Sequence, residues 1–300
     1  MVAAFTRASP RRGTLLTAQA RRNRHRMAKV PTAPSSESAA FQSADALSAA
    51  LDEGQFFLVY QPTIDLQTNA FAGVEVLIRW RHPERGVLSP DQFIDELEAS
   101  GLILPVGRWT LNTACAQGTV WHDRGYRFAM SVNVSQRQLE SETFNEDVAA
   151  ALSSSRFNPA LLVLEFEQSF LFAEHELTFS RLARLRALGV QLAVDDYEPG
   201  ESTLDDLVTL GIDIVKLDRD FISRISSSEE AATLVHRLVQ RSELQHVQVI
   251  ASGIEDSAQR DRLQGEMVHV GQGFFFSAPH EARDIDRFLE DFAIFSGKPL

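Results

Sequence analysis

The chain has 300 residues, 44% of them hydrophobic, which is enough for one large domain or two small ones. Its net charge is −12, yet residues 1–36 hold seven arginines and one lysine with no Asp or Glu, leaving 21 basic against 41 acidic groups in the other 264 residues. Such an acidic body does not bind a nucleic-acid duplex or an anionic membrane through general electrostatics. The lone Cys115 excludes an internal disulfide and fits a reducing, cytoplasmic setting. No apolar run approaches the length of a membrane span.

The first 36 residues are Arg- and Ser-rich without a continuous apolar core, so they do not read as a secretory signal. Residues 1–43 are expected to form a disordered basic tail, or an upstream extension if translation begins at Met27. A nucleic-acid-binding arm would need a recognisable module, which the tail lacks.

A single domain is expected over 44–300. Ala44–Asp52 reads as a short helix leading into the strand Phe56–Pro62. The turn-like Asp65–Asn69 and a second strand, Phe71–Trp80, complete an antiparallel hairpin. Ser89-Pro90-Asp91-Gln92 combines an N-cap Ser, Pro at the first helical position and Gln three residues after the cap. The helix it starts runs to about Ser100 and stops at Gly101, and a longer one follows over about Val106–Asp123.

From there the chain alternates. Strands are predicted at Phe128–Val134, Leu161–Phe166, Gln191–Asp195, Ile214–Leu217, Val247–Ala251 and His269–Phe276. Helices are predicted near Phe144–Leu152, Leu177–Leu188, Thr203–Leu210, Glu229–Glu243, Asp256–Leu263 and Ile285–Phe295. Such alternation implies parallel strands with helices outside, and about eight strands over some 250 residues suggest an α/β barrel of the (β/α)8 type. An open doubly wound sheet is the alternative. A dinucleotide-binding turn is disfavoured, because Gly271-Gln272-Gly273 leads into three phenylalanines rather than a helix N-terminus.

Polar residues mark the predicted strand ends. Val190–Tyr197 (VQLAVDDY) ends in two adjacent aspartates, which repel each other unless a cation sits between them. The others are Glu75 in VEVLIRW, Asn133 in MSVNVS, Glu165 in LVLEF, Lys216 in DIVKLD, Ser252 in VIASGIE and Gln272 in HVGQGFFF. In a parallel barrel these positions converge on the C-terminal face, where active sites of this architecture sit. Any one of them alone could equally be a helix cap or a satisfied core group. Glu75, Asn133, Glu165 and Asp195 are hard oxygen donors, suited to Mg²⁺ or Mn²⁺ rather than zinc, and the eight histidines show no HExxH spacing. Asp195 and Asp196 could bridge or hold a second ion, and Lys216 could neutralise a phosphoryl group or orient water.

On these residues the chain from about Ala44 to Leu300 resembles the EAL domain, the bacterial phosphodiesterase family that opens cyclic di-GMP to the linear dinucleotide pGpG. The matching pieces are YQP (Tyr60–Pro62), GVEVLIRW (Gly73–Trp80) for the name-giving Glu-Ala-Leu, SVNVS, LEFEQS, VDDY, IVKLD, SGIE with Glu255, and QGFFFSAP (Gln272–Pro279). The resemblance implies a TIM-like barrel with one antiparallel strand. It implies a divalent-metal site on Glu75, Asn133, Glu165 and Asp195, with Asp196 at a second metal. It implies catalytic roles around Lys216, Asp196 and Glu255, and nucleotide contacts from Gln61, Leu77, Arg79, Gln272 and Pro279. It leaves a homodimer or a protein partner open.

The departures from the family pattern are specific. Val76 replaces the middle Ala of the signature and leaves the carboxylate in place. Ser252 stands where the family's AEGVE motif has the glutamate that serves the second metal and its water, and a neutral hydroxyl supplies neither charge nor base. Losing a general base removes roughly 10²–10⁴-fold. Gln168 replaces the second glutamate of the ExTE motif. The family's DDFGTGxSSL loop, which couples metal binding to dimerisation, reads DDYEPGESTL, with Glu198 at a glycine position and Pro199 fixing φ. The expected function is a metal-dependent cyclic di-GMP phosphodiesterase with impaired activity. Beside it stand an inert cyclic di-GMP receptor and a protein-interaction domain that uses the barrel as a scaffold.

Overall fold

The computed structural model describes residues 43–171, 175–199 and 204–296. The expected basic tail (1–43), apart from its last residue Ser43, and the loop stretch 200–203 lie outside the described residues. The strands are β1 (Phe56–Asp65), β2 (Phe71–His82), β3 (Gly86–Leu88), β4 (Ala129–Val134), β5 (Leu162–Glu167), β6 (Gln191–Tyr197), β7 (Ile214–Leu217), β8 (Gln248–Ala251) and β9 (Val270–Gln272). Their order is β1-β9-β8-β7-β6-β5-β4-β2-β3, and β1 also pairs with β2. Among the described residues eight strands therefore close a ring, and β3 extends β2 outside it. β1 runs antiparallel to both of its neighbours in the ring, β2 and β9, while the other ring pairings are parallel. The fold is the TIM-like barrel with one antiparallel strand, and the open-sheet alternative falls away.

Two apolar layers hold the ring. Outside it, a large core joins the strands to helices including Ile103–Asp123, Phe144–Ser155 and Glu229–Leu244. Inside it, Val163, Ala193, Ile214, Ile250 and Val270 form a plug, with Ala72 and Ala129 packed against it. Successive residues of a strand point to opposite faces, so the residue two places after each plug residue also points inward. That step runs from Val163 to Glu165, Ala193 to Asp195, Ile214 to Lys216, Ile250 to Ser252 and Val270 to Gln272. The alternation that builds the plug thus sets a polar ring above it.

The local punctuation works as the residues predict. Ser89 and Gln92 form a capping box ahead of the helix Ile94–Ser100, and Gly101 ends that helix at φ 80°, a left-handed conformation glycine takes without steric cost. The predicted last strand is shorter than its apolar run. β9 stops at Gln272, and the chain turns away at Gly273, where an added Cβ would lie 2.0 Å from the Ile254 carbonyl oxygen. That close approach lets Phe275 N–H donate to the same carbonyl at 3.0 Å, so Phe274–Phe276 leave the sheet. The short helices Gln136–Glu140, Gln168–Leu171 and Arg219–Ile222, and the strand β3, carry too few turns or residues to show a period.

Trp121 anchors the antiparallel strand. It is fully buried, meets Tyr60 of β1 edge-on at 4.9 Å, and donates its indole N–H to Asp286 of the helix Ala282–Ser296 at 2.7 Å. Trp121→Ala is expected to lower the unfolding free energy by about 3–5 kcal/mol, read from the urea midpoint at unchanged slope. A loss below about 1 kcal/mol would show that β1 is held elsewhere.

Candidate active site

Lys216 sits at the centre of the polar ring, 2% exposed. Its Nζ lies 2.6 Å from Glu165 Oε2, 3.1 Å from Asp195 Oδ2 and 3.3 Å from Glu75 Oε2. An ammonium has three N–H donors, and here each has a carboxylate. Burial opposes the charged lysine, but Asp195, Glu165 and Glu75 together hold its pKa well above the usual value.

Three carboxylates share that one ammonium. Glu75 accepts from Asn133 Nδ2 at 2.9 Å and from Gln272 Nε2 at 2.7 Å. Burial works against its charged form, yet Lys216 and these hydrogen bonds bring its pKa below the usual range. The surplus charge falls on Glu165, whose carboxyl burial pushes up to about 8, with Glu75 and Asp195 adding to the push and Lys216 opposing it. Gln272 also donates to Gln61 Oε1 at 3.0 Å, so β1, β2 and β9 are tied together above the plug.

The paired aspartates occupy an irregularity. The register between β6 and β7 shifts between Val194 and Tyr197, the signature of a bulge, which re-aims side chains at the rim of a barrel. Asp196 takes φ 53°, and its N–H donates to Asp195 Oδ1 at 3.0 Å. Both aspartates line the cleft as a result. Burial, then Asp195 and Asp218, raise the Asp196 carboxyl to about 6. Positive φ falls on Asp196 and not on Glu198, so the non-glycine loop residue is accommodated.

The cleft has a volume of about 190 Å³. Of the residues singled out from the sequence it brings together Gln61, Glu75, Asp195, Asp196, Lys216, Ser252, Glu255 and Gln272. Asn133 and Glu165 join through their contacts with Glu75 and Lys216. Leu77 and Arg79 continue β2 beyond the cleft, partly exposed, and Arg79 donates to the Ile78 carbonyl at 2.8 Å. Pro279 is partly buried next to His280, which pairs with Tyr60. Gln168 opens a short helix directly after β5. Glu255 is exposed and ion-paired with Arg219. Sequence reasoning missed Arg219 and Phe274 in the lining. Arg219 follows the KLD strand end, and Phe274 is a 64% exposed aromatic, a signal only the structure supplies.

The donor set fits a divalent cation. Oxygens of Glu75, Glu165 and Asp195 all lie within 4.8 Å of one another, against a single ammonium. Gln272 Oε1 and Ser252 Oγ are buried without a hydrogen-bond partner among the described residues. Hard oxygen donors with excess negative charge suit Mg²⁺ or Mn²⁺.

An EAL domain family model matches residues 44–279. This chain belongs to the EAL domain family. Its EAL domain is 33% identical over 244 residues to the cyclic di-GMP phosphodiesterase PdeR of Escherichia coli (strain K12), covering 81% of this chain and 37% of PdeR. It is 32% identical over 260 residues to the cyclic di-GMP phosphodiesterase NbdA of Pseudomonas aeruginosa, covering 86% of this chain and 33% of NbdA. The chain thus spans about a third of the length of these curated relatives. In structure it is similar to the PaMucR phosphodiesterase in complex with c-di-GMP, with TM-score 0.76, 31% identity, and coverage of 80% of this chain and 98% of that one. No helix among the described residues is long and apolar enough to cross a membrane.

The raised carboxyls set a pH dependence for the metal-free EAL barrel. Both fold with pKa values above the roughly 4 of an unfolded chain, so their contribution is fully present below about pH 4 and is lost as pH rises through 6 and then 8. Glu165, the more buried, dominates; Asp196 is exposed and screened. In chelator the melting temperature is expected to fall between pH 5 and pH 8.5, and Mg²⁺ or Mn²⁺ to raise it more at the alkaline end. A flat or opposite profile in thermal scans would overturn this electrostatic account.

Proposed function

We propose that this chain is a metal-dependent phosphodiesterase that opens cyclic di-GMP to pGpG at a rate reduced by Ser252. The observation that carries the proposal is the convergence of Glu75, Glu165 and Asp195 on Lys216 at the floor of one cleft, within a family whose relatives include cyclic di-GMP phosphodiesterases. Glu75, Asn133, Glu165 and Asp195 would hold Mg²⁺ or Mn²⁺, with Asp196 turned toward a second position. When bound, such a cation polarises phosphoryl oxygens.

The chain's own residues supply the rest. Lys216 fixes the three carboxylates and lessens their mutual repulsion, so the donor set is preorganised. Gln272 orients Glu75 and bonds Gln61, and the family resemblance assigns these two glutamines, with Leu77, Arg79 and Pro279, to nucleotide contacts. At position 252 a hydroxyl cannot accept a proton from water at neutral pH, so attack proceeds without that base. Glu255 is tied to Arg219 and does not stand in for it without breaking that pair.

A second reading, a receptor that binds cyclic di-GMP without turnover, is favoured by the same Ser252. A pure protein-interaction scaffold is disfavoured, since it has no use for Asp196, which lines the cleft exposed and adds nothing to a core.

The test is to incubate the protein with cyclic di-GMP and Mg²⁺ or Mn²⁺, measuring binding by calorimetry and pGpG by chromatography. Slow, metal-dependent product is expected. Binding without product selects the receptor, and absence of binding removes both readings. Ser252→Glu is expected to raise turnover by roughly 10²-fold or more, the contribution of a general base being about 10²–10⁴-fold. An unchanged rate would move the defect to Gln168 and the Glu198-Pro199 loop.

A further inference from the structure

The cleft has more anionic than cationic groups, yet its proposed ligand carries phosphodiesters. Lys216 has no N–H left for them, because its three donors face three carboxylates. The other cation in the lining is Arg219. Its side chain is 61% exposed and donates through Nη2 to Glu255, leaving further guanidinium N–H groups open to the cleft.

Arg219 is held in place from two sides. Asp218 accepts from Phe221 N–H at 2.8 Å and fixes the backbone just after β7. Gly253, at φ 75°, lies so close that an added Cβ would be 2.2 Å from Arg219 Cγ, so the missing side chain leaves room for the arginine stem. Ser252, the neighbour of Gly253, lines the same cleft with a buried hydroxyl that has no partner among the described residues. A hydroxyl donates to an anion, whereas a carboxylate at 252 would repel one.

We infer that Arg219, assisted by the Ser252 hydroxyl, receives a phosphodiester oxygen of the cyclic dinucleotide, so that the Arg219–Ser252 side of the cleft is an anion site. The inference rests on cyclic di-GMP being the ligand. A guanidinium is suited to the task, since its planar donors match phosphate oxygens. Glu255 then acts as a competitor that holds the guanidinium when no nucleotide is bound.

Calorimetric titration of the full chain with cyclic di-GMP in Mn²⁺ tests this, with thermal midpoint and Mn²⁺ uptake followed in parallel. Arg219→Gln is expected to weaken nucleotide binding at least tenfold while leaving Mn²⁺ uptake unchanged, and Arg219→Lys to recover part of the loss. Glu255→Gln releases the guanidinium and is expected to tighten nucleotide binding. A smaller loss in Arg219→Gln, or an equal loss in both variants, overturns the inference and leaves the ion pair as a structural contact. Mn²⁺ uptake without wild-type nucleotide binding defeats the cyclic di-GMP reading itself, and this inference with it.

Discussion

The buried ammonium of Lys216 is the constraint on which the rest depends. An uncompensated charge in a protein interior costs several kcal/mol, and this one is compensated from three directions by carboxylates on β2, β5 and β6. β2 and β7 are not neighbours; β4, β5 and β6 lie between them in the sheet. Glu75 reaches Lys216 only because the sheet curls into a ring. The closing pairings, β1 with β2 and β1 with β9, are therefore as much a part of the site as the carboxylates. Gln61 and Gln272 reinforce the closure from above, since their hydrogen bond spans the β1–β9 seam and Gln272 continues to Glu75.

Below the ammonium the barrel is plugged by small and branched aliphatic residues. The plug keeps water from the underside of the charge cluster, which strengthens each electrostatic contact within it. It also makes the cluster one-sided, open toward the cleft alone. The β6 bulge then adds a second carboxylate at that opening.

Much of this was legible in the sequence because the strands obey a period of two. A polar residue embedded in an apolar run at a parallel strand's C-terminal end must face the barrel axis or the helices. Glu75, Glu165, Asp195, Lys216 and Gln272 all face the axis, where their charges can cancel. What the sequence does not display is geometry that no period encodes. The bulge that turns Asp195 and Asp196 into the same cleft leaves no mark beyond the doubled residue. The end of β9 is set by Gly273 passing the Ile254 carbonyl, a tertiary contact that overrides three consecutive phenylalanines of high strand propensity. The place of Arg219 depends on a glycine 34 positions later in the chain.

These energetics also change what the departures mean. Glu75, Glu165, Asp195 and Lys216 depend on one another, because deleting Lys216 leaves three acidic side chains crowded together without a countercharge. Their convergence serves the barrel as well as the site. Asp196 is different. It is exposed, its backbone sits at a φ that a non-glycine residue occupies at some steric cost, and its carboxyl is crowded by Asp195. The hydrogen bond from its N–H to Asp195 offsets only part of that cost, and a group crowded by like charge while facing a cleft is the kind expected where function sets the residue. The double aspartate therefore joins the buried cluster beneath it as a mark of a cation- or phosphate-handling site. Ser252 in turn alters the charge of that site without disturbing the cluster that holds the barrel together.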